Sequence, residues 1–397
     1  MPDTASSGYS GPKVKSDCMV TYSASDAGLT VDVETEGDEA SLVSGVLEAA
    51  VRLGVETGSI RVQDFGAKPW VAAARFEAAV RMVMGDVFPV LPKKGDPSVS
   101  DGSRPRRSRL YAPGNMPRFI EKAAGSGADG VILDLEDSVA PDRKLEARIL
   151  TAYALREIDF GLSEIMVRIN QGENALDDLA WTVPQPVQHI LLPKVENADQ
   201  VAEIRDQVET LMELCGREPF PWLMPIIESP EGIFNARDIA QAVPEMAALT
   251  LGLQDLTAEL GVRPTDHGRE SFVARSMVVM AARSAGLQPI DTVYADVKDM
   301  DGLTRSIEEA KELGFVGKGC IHPDQVEPIN QGFLPDRDLL AKAMEIVKAM
   351  EAAEAEGLGA VALGSKMIDP PVARQARVMV DNAIALGMIG ADWRGAD

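Results

Sequence analysis

Two short apolar runs, 226–228 and 251–255, each end in a carboxylate, and these acids are the residues of the sequence best suited to chemistry. The acids are Glu228 and Asp255. An apolar run that ends in an acid is typical of a buried parallel strand that delivers the acid to the mouth of a barrel. Because Mg²⁺ prefers oxygen ligands and takes only one or two carboxylates from protein, the pair could share one such cation. An enzyme is therefore the leading interpretation.

Other charged residues occur at the ends of further predicted strands. They are Arg109, Glu136, Asp137, Arg168 and Lys194. Any one of them could serve only in a structural ion pair. A charged residue at the end of each of six predicted strands favours a shared site instead. Lys194 as a Schiff-base nucleophile is disfavoured, because Glu196 two residues later favours a protonated, ion-paired amine.

Apolar runs recur at regular intervals in the second part of the chain, and helical patterns fill the gaps between them. The predicted strands are 108–114, 130–137, 165–170, 189–196, 222–229, 248–255, 289–294 and 317–323. Eight strands that alternate with helices predict an α/β protein, a (β/α)₈ TIM barrel with its site at the C-terminal ends of the strands. A doubly wound sheet is disfavoured, since no GxGxxG turn follows the first strand.

Composition shifts divide the chain into four parts. Residues 91–105 are rich in Pro, Gly and Ser and predict a linker. We expect a small α+β unit at 1–90 before it, the barrel at 106–335 after it, and a C-terminal helical extension at 336–397.

Charge and composition exclude several kinds of partner. The 397 residues carry a formal net charge of −23, which would repel nucleic acid. Three cysteines in no paired spacing indicate neither disulfides nor a zinc site. No apolar run is long enough to span a bilayer and no signal pattern opens the chain, so we expect a cytoplasmic protein without a membrane partner.

The second part of the chain resembles a known enzyme family. Segments 107–114, 134–142, 167–170, 192–196, 227–232, 291–301 and 314–323 resemble, in order, the citrate lyase beta subunit and thioester lyases related to malyl-CoA lyase. The resemblance implies a Mg²⁺-dependent barrel that cleaves a carbon–carbon bond in a 3-hydroxy-3-carboxyacyl thioester. It implies Glu228 and Asp255 as metal ligands and Arg168 as the group that stabilises the developing oxyanion.

The other charged residues at the predicted strand ends receive roles in this scheme. Glu136 and Asp137 are further catalytic candidates, and Arg109 and Lys194 are candidates for substrate binding. The segment 364–371 resembles the family motif whose acid reaches a neighbouring subunit, which makes Asp369 a candidate acid–base residue. A homotrimer or hexamer is then expected. An Asp before Pro also commonly fixes a turn, and that alternative stays open.

The first part of the chain resembles the citrate lyase gamma subunit, an acyl carrier protein. The resemblance lies in segments 14–20, 59–64 and 72–79. It implies a CoA-derived, phosphopantetheine-type arm on Ser16, although the local pattern departs from the family's by about one residue. A citrate lyase alpha (transferase)-type subunit is a possible partner on the same grounds.

Several functions fit these patterns. The leading one is cleavage of a citryl-type thioester, carried by the N-terminal unit or by CoA, to an oxoacid such as oxaloacetate and an acetyl thioester. The alternatives are a lyase for malyl-CoA or citramalyl-CoA, a metal-dependent aldolase for free oxoacids, and a non-catalytic assembly scaffold.

Overall fold

The N-terminal part forms a four-stranded sheet covered by two helices. In the computed structural model, which describes residues 2–11, 13–85, 100–265, 267–364 and 366–395, the sheet has the order β1-β2-β4-β3, in which only the β3–β4 pairing is parallel. The elements are β1 (Thr4–Gly8), β2 (Asp17–Gly28), β3 (Thr30–Glu34), α1 (Glu39–Leu53), β4 (Thr57–Phe65) and α2 (Pro69–Met84). Residues 91–99 of the predicted linker lie outside the described residues.

Eight parallel strands close into a barrel, as the sequence predicts. They are β5 (Ser108–Pro113), β6 (Gly130–Asp134), β7 (Glu164–Arg168), β8 (His189–Leu192), β9 (Trp222–Ile227), β10 (Ala248–Leu251), β11 (Gln288–Asp291) and β12 (Gly317–Cys320). Each lies within or overlaps one predicted run.

Helices surround this barrel. They are α3 (Pro117–Ala124), α4 (Lys144–Glu157), α5 (Glu173–Thr182), α6 (Ala198–Cys215), α7 (Pro230–Phe234), α8 (Ala236–Ala240), α9 (Leu253–Glu259), α10 (Phe272–Ser284), α11 (Met300–Leu313) and α12 (Val326–Gly332). None of the described helices is long and apolar enough to cross a membrane.

The predicted strands extend too far toward their C-terminal ends. Glu136 and Asp137 lie in the loop after β6, and Asp255 lies in the first turn of α9. Strand pairing stops earlier because the chain must turn toward the next helix, and Gly252 begins that turn after β10. The acids therefore stand above the barrel on the connecting segments.

A buried cluster of charges joins the N-terminal unit to the barrel. Arg75 on α2 donates to both carboxylate oxygens of Asp17, at 3.0 and 2.7 Å, and to the Asn115 carbonyl at 2.8 Å. Its Nη1 lies 3.5 Å from Glu146 on α4, which also accepts a hydrogen bond from Ser7. Removing one partner of a buried ion pair leaves the other charge uncompensated and costs about 3–5 kcal/mol, so loss of Arg75 or Glu146 should destabilise this contact.

The C-terminal extension is helical, as predicted, and also contains a short hairpin. It comprises α13 (Arg337–Ala355), β13 (Val361–Leu363), β14 (Lys366–Ile368) and α14 (Pro370–Ala385). The two helices share a small apolar core that includes Leu340, Val347 and Val380. Met367 in the hairpin is 77% exposed, so part of the extension presents an apolar side chain to its surroundings.

Candidate active site

A cavity of about 410 Å³ opens at the C-terminal ends of the barrel strands. Its charged lining residues include Arg109, Asp134, Asp137, Arg168, Glu228 and Asp255. Enzymes of this fold place their active sites at this end of the barrel. The sequence predictions for Asp137, Arg168, Glu228 and Asp255 therefore converge on one space.

Arg168, the last residue of β7, is held in a fixed orientation by two acids. Its Nε and Nη2 donate to the two oxygens of Asp134, at 2.7 and 2.8 Å, and its Nη1 lies 2.8 Å from Glu136. Burial opposes the charge of the guanidinium, but the bonds to Asp134 raise the pKa of Arg168 above its usual range. The bidentate pair fixes the plane of the group, which stays cationic at the cavity wall.

Lys194 joins the same cluster from the loop after β8. Its Nζ lies 3.2 Å from Glu136, 3.9 Å from Asp137 and 3.8 Å from Asp255. Burial alone would lower the pKa of Lys194, but these acids, chiefly Glu136, raise it. Lys194 is thus a protonated, ion-paired amine as expected, but its partners are these three acids and not Glu196, on which the sequence argument rested.

Glu228 follows β9 and is buried without a counter-charge. Among the described residues it forms no ion pair, and its Oε1 accepts a hydrogen bond from the backbone N–H of Lys194 at 2.7 Å. Lys194 has a φ of 51°, an unusual left-handed value for a residue with a side chain. Burial, with smaller contributions from Asp255 and Glu136, raises the pKa of Glu228 to about 7.

Gly252 makes room for this carboxylate. A Cβ atom at position 252 would lie 2.1 Å from Oε2 of Glu228 and 2.6 Å from its Cβ. Only glycine can therefore occupy the turn between β10 and α9 without displacing Glu228. The sequence prediction missed the role of this residue, although its place between Leu251 and Leu253 in the second apolar run was a usable signal.

The donor set suits a hard divalent cation. Burial and neighbouring acids make ionised Glu228 costly in the protein alone, and Asp255 lies near it and is partly exposed. The described residues contain no group of three or more His, Cys, Asp and Glu side chains arranged for a metal. A cation here would take two carboxylates from the protein and its other ligands from water or substrate, which is the pattern of Mg²⁺.

Arg109 is deeper than the sequence predicted. It was expected at a strand end, but it is the second residue of β5 and its side chain lies inside the barrel, fully buried. Its Nη1 donates to Oγ1 of Thr250 at 2.8 Å and lies 3.5 Å from Sδ of Met224. Because side chains alternate along a strand, Tyr111 stands one layer above it, nearer the mouth. Arg109 therefore forms part of the cavity floor.

Two further residues were missed by sequence reasoning. Asp134, which orients Arg168, lies in the same apolar segment as Glu136 and was passed over because it precedes the predicted strand end. Tyr111 lines the cavity, and the guanidinium of Arg168 lies 5.3 Å from the centroid of its ring. A guanidinium at this distance is attracted to the electron-rich face of the ring, so Tyr111 helps to stabilise the charge of Arg168.

Asp369 and Ser16 lie away from the cavity lining of this chain. Asp369 is the N-cap of α14, where its side chain accepts from the Val372 N–H at 3.2 Å. Ser16 precedes β2, has a φ of 56°, and donates its N–H to the Phe65 carbonyl at 2.9 Å. Neither residue is thus part of the cavity lining of its own chain.

Comparisons with known proteins place the chain in a family. The family model described as HpcH/HpaI aldolase/citrate lyase matches residues 107–323, and one described as ACP, malonate decarboxylase delta subunit (MdcD), matches residues 6–83. The chain belongs to the HpcH/HpaI aldolase/citrate lyase family. An acyl-carrier-like unit at the N-terminus, expected from the sequence, is confirmed by the second match.

Curated relatives agree with this assignment. Citrate lyase subunit beta of Escherichia coli K12 is 36% identical over 289 residues, covering 72% of this chain and 96% of the relative. The L-malyl-CoA/beta-methylmalyl-CoA lyase of Cereibacter sphaeroides ATCC 17025 is 35% identical over 303 residues, covering 71% and 95%. The prediction of an enzyme of the lyase class is confirmed.

Solved structures show the same barrel. The protein CitE of Mycobacterium tuberculosis, in complex with magnesium, acetoacetate and coenzyme A, matches with a TM-score of 0.58 and 30% identity over 71% of this chain and 99% of that one. A citrate lyase from Burkholderia xenovorans LB400 matches with a TM-score of 0.64 at 21% identity over 73% and 94%, which shows the shared fold.

Replacing Gly252 with Ala should move Glu228 and weaken Mg²⁺ binding. The added Cβ must displace the carboxylate, and loss of a group that supports a metal ligand typically costs about 10- to 100-fold in affinity. Calorimetric titration of the purified chain with Mg²⁺ measures the effect. Gly125→Ala is the matched control, since a Cβ there has no atom within 4 Å and its φ is −90°. Equal affinity in wild type and Gly252→Ala would contradict the assignment.

Proposed function

We propose that the chain is a Mg²⁺-dependent carbon–carbon lyase that cleaves a citryl-type 3-hydroxy-3-carboxyacyl thioester to an oxoacid and an acetyl thioester. The observation that carries the proposal is one cavity that holds the unpaired Glu228, the nearby Asp255 and a fixed guanidinium, Arg168. The citrate lyase and malyl-CoA lyase relatives support the same reaction class.

Glu228 and Asp255 would hold the metal ion. When bound there, Mg²⁺ would supply positive charge to the substrate's hydroxyl and adjacent carboxylate and so lower the pKa of the hydroxyl. The two side chains suit this role because both present carboxylate oxygens at one side of the cavity. Lys194 orients Glu228 through its backbone N–H, while its ammonium balances Glu136 and Asp137.

The reaction breaks the bond between the hydroxyl-bearing carbon and the methylene carbon next to the thioester carbonyl. The hydroxyl loses its proton, its carbon becomes the carbonyl of the oxoacid, and the bonding pair moves onto the thioester oxygen as an enolate. Arg168 would stabilise that oxygen, since Asp134 holds its plane at the cavity wall. Glu136, whose pKa burial raises, and Asp137 are the candidate acceptors of the hydroxyl proton.

Replacing Arg168 with Lys should lower turnover by about 10²- to 10³-fold. Lysine keeps the charge but loses the planar fork that Asp134 grips, and loss of one oxyanion donor has a cost of this size. Release of oxoacid from citryl-, citramalyl- and malyl-CoA, with Mg²⁺ and with EDTA, measures both the proposed function and this effect. Arg107→Lys, outside the barrel and paired with Asp129, is the control.

Two results would contradict these statements separately. If wild-type protein releases no oxoacid from any of the three thioesters, the proposed function is wrong. If wild type is active and Arg168→Lys is equally active, Arg168 has no part in the reaction.

We also propose that Ser16 carries a CoA-derived, phosphopantetheine-type arm that presents the acyl thioester to the barrel. The match of residues 6–83 to an ACP model supports an acyl carrier role. Asp17, the next residue, is clamped by Arg75, which also bonds to Asn115 in the loop after β5. The attachment point is thus tied to a loop at the C-terminal end of the barrel, and an arm there would hold its thioester at high effective concentration.

Intact mass of the protein purified from its native host tests the modification. We expect an added mass that corresponds to a phosphodiester-linked arm, and its loss in Ser16→Ala. Ser41→Ala, which removes a partly exposed serine near the start of α1, is the control and should keep the added mass. An unmodified wild-type mass, together with turnover of CoA thioesters, would assign the reaction to free CoA substrates. The malyl-CoA lyase relatives favour this second candidate function.

Asp369 would complete the active site of a neighbouring chain in a homotrimer or hexamer. Support comes from its place on the extension beyond the barrel, next to the exposed hairpin. The remaining step of the reaction is protonation of the enolate carbon, for which a carboxylic acid is suited. A transferase-type alpha subunit would be a further partner, and the cytoplasmic location stays a prediction.

Mixing two inactive variants tests this arrangement. Asp369→Ala chains mixed with Glu228→Ala chains should regain part of the activity, because some sites would combine an intact Glu228 with an intact Asp369 from the neighbour. Subunit exchange is verified by mass-tagged chains. Verified exchange without recovered activity would remove Asp369 from the neighbour's site.

A further inference from the structure

The floor of the active-site cavity contains a cation that lacks an anionic partner. The side chain of Arg109 is fully buried inside the barrel, and two of its nitrogens, Nε and Nη2, have no hydrogen-bond partner among the described residues. Only Nη1 is engaged, by Thr250 and Met224. Tyr111 and Cys320 act on Arg109 only if they ionise, and burial raises the pKa of both, so neither supplies a negative charge near pH 7, while Arg106 is a like charge. Burial of an unpaired charge is costly, so such a group calls for a ligand.

The unpaired atoms form the edge of the guanidinium that binds carboxylates elsewhere in this protein. Six other arginines of the described chain place Nε and Nη2 on the two oxygens of one carboxylate. They are Arg75 with Asp17, Arg106 with Glu164, Arg107 with Asp129, Arg168 with Asp134, Arg275 with Asp291, and Arg394 with Glu351. Arg109 offers the same edge without an acid to fill it. The chemistry that matches the edge is a carboxylate bound through two parallel hydrogen bonds.

The barrel is built to accommodate this side chain. Both neighbouring strands carry glycine in register with Arg109, Gly130 on β6 and Gly319 on β12. These positions contribute no side chains of their own to the layer that Arg109 occupies. Thr250 on β10 accepts the hydrogen bond from Nη1 and lies two extended residues before Gly252, the turn residue that contacts Glu228, so the floor and the level of Glu228 are about 7 Å apart. That separation is on the scale of a four-carbon dicarboxylate.

We propose that Arg109 binds a second carboxylate of the substrate and thereby selects citryl-type thioesters. This inference rests on the proposed function, in which the hydroxyl and its adjacent carboxylate belong to the metal site and the thioester oxygen belongs to Arg168. The remaining substituent of the hydroxyl-bearing carbon is hydrogen in a malyl group, methyl in a citramalyl group and carboxymethyl in a citryl group. Only the carboxymethyl group brings an anion to the floor.

The expected selectivity follows from the free-energy cost of leaving Nε and Nη2 of Arg109 without a hydrogen-bond partner. A site built to hydrogen-bond a substrate group discriminates strongly against an analogue that lacks it, because its buried donors stay unpaired. With Mg²⁺ present, the chain should bind oxaloacetate, which carries two carboxylates, about 10- to 100-fold more tightly than pyruvate, which carries one.

Calorimetry with the full chain, Mg²⁺ and each of these two oxoacids tests the inference. Arg109→Met keeps the bulk and removes the fork, and it should weaken oxaloacetate about 10- to 100-fold while leaving pyruvate unchanged. Arg109→Lys should restore part of the preference as a point charge. Arg107→Met, which lies just before β5 and removes the ion pair with Asp129, should keep the full preference. The ratio of kcat/KM for citryl-CoA and citramalyl-CoA should shift in the same direction.

The possible results separate this inference from the proposed function. If the Met variant still prefers oxaloacetate, Arg109 does not bind the second carboxylate. The proposal expects the melting temperature of the Met variant to rise or stay the same, because removal of Arg109 leaves no acid unpaired. If the variant instead binds neither oxoacid and its melting temperature falls, Arg109 serves the fold and not the substrate. If the wild-type chain shows the Arg109-dependent preference for oxaloacetate but cleaves no thioester, the proposed function is wrong and the assignment of Arg109 as a carboxylate-binding residue still stands.

Discussion

One cavity of this protein contains a buried carboxyl group, Glu228, and a buried guanidinium, Arg109, and neither forms an ion pair with any of the described residues. Glu228 at the mouth has its pKa raised to about 7 by burial, and burial lowers the pKa of Arg109 at the floor. Tyr111, whose pKa burial raises so that the phenol stays neutral, also lines the cavity. Folding does not neutralise the two groups against each other. In the proposed function, Mg²⁺ would balance the carboxylate at one end and a substrate carboxylate would balance the guanidinium at the other.

The second arginine of the cavity is the opposite case. Arg168 is neutralised by Asp134 and Glu136 and stacks near Tyr111, so its position is set before any ligand arrives. Groups that must meet a developing charge act best when they are already oriented. The two arginines thus differ in their partners and in their proposed roles, one for the reacting oxygen and one for recognition of a distant carboxylate.

Much of the fold was predictable from the sequence, because buried parallel strands are short continuous apolar runs and eight of them recur here at regular spacing. How deep each charged residue lies inside the barrel could not be predicted from the sequence. Arg109 looked like a strand-end residue, yet its place within β5 sets it on the floor. Asp134 and Gly252 act through contacts with Arg168 and Glu228 on other strands, and such contacts across the barrel leave no local pattern. Whether Asp369 acts in a neighbouring chain depends on assembly, which one chain does not determine.

Titration with Mg²⁺ is the most direct test of the central claim, that Glu228 and Asp255 form a cation site at the barrel mouth. Calorimetry of wild type, Glu228→Gln and Asp255→Asn at pH 7, repeated in buffers of different ionisation enthalpy, measures both affinity and proton exchange. We predict that either substitution abolishes saturable binding. Wild type should also release protons on binding, because the metal requires ionised Glu228, whose pKa is about 7. Undiminished affinity in both variants would contradict the account.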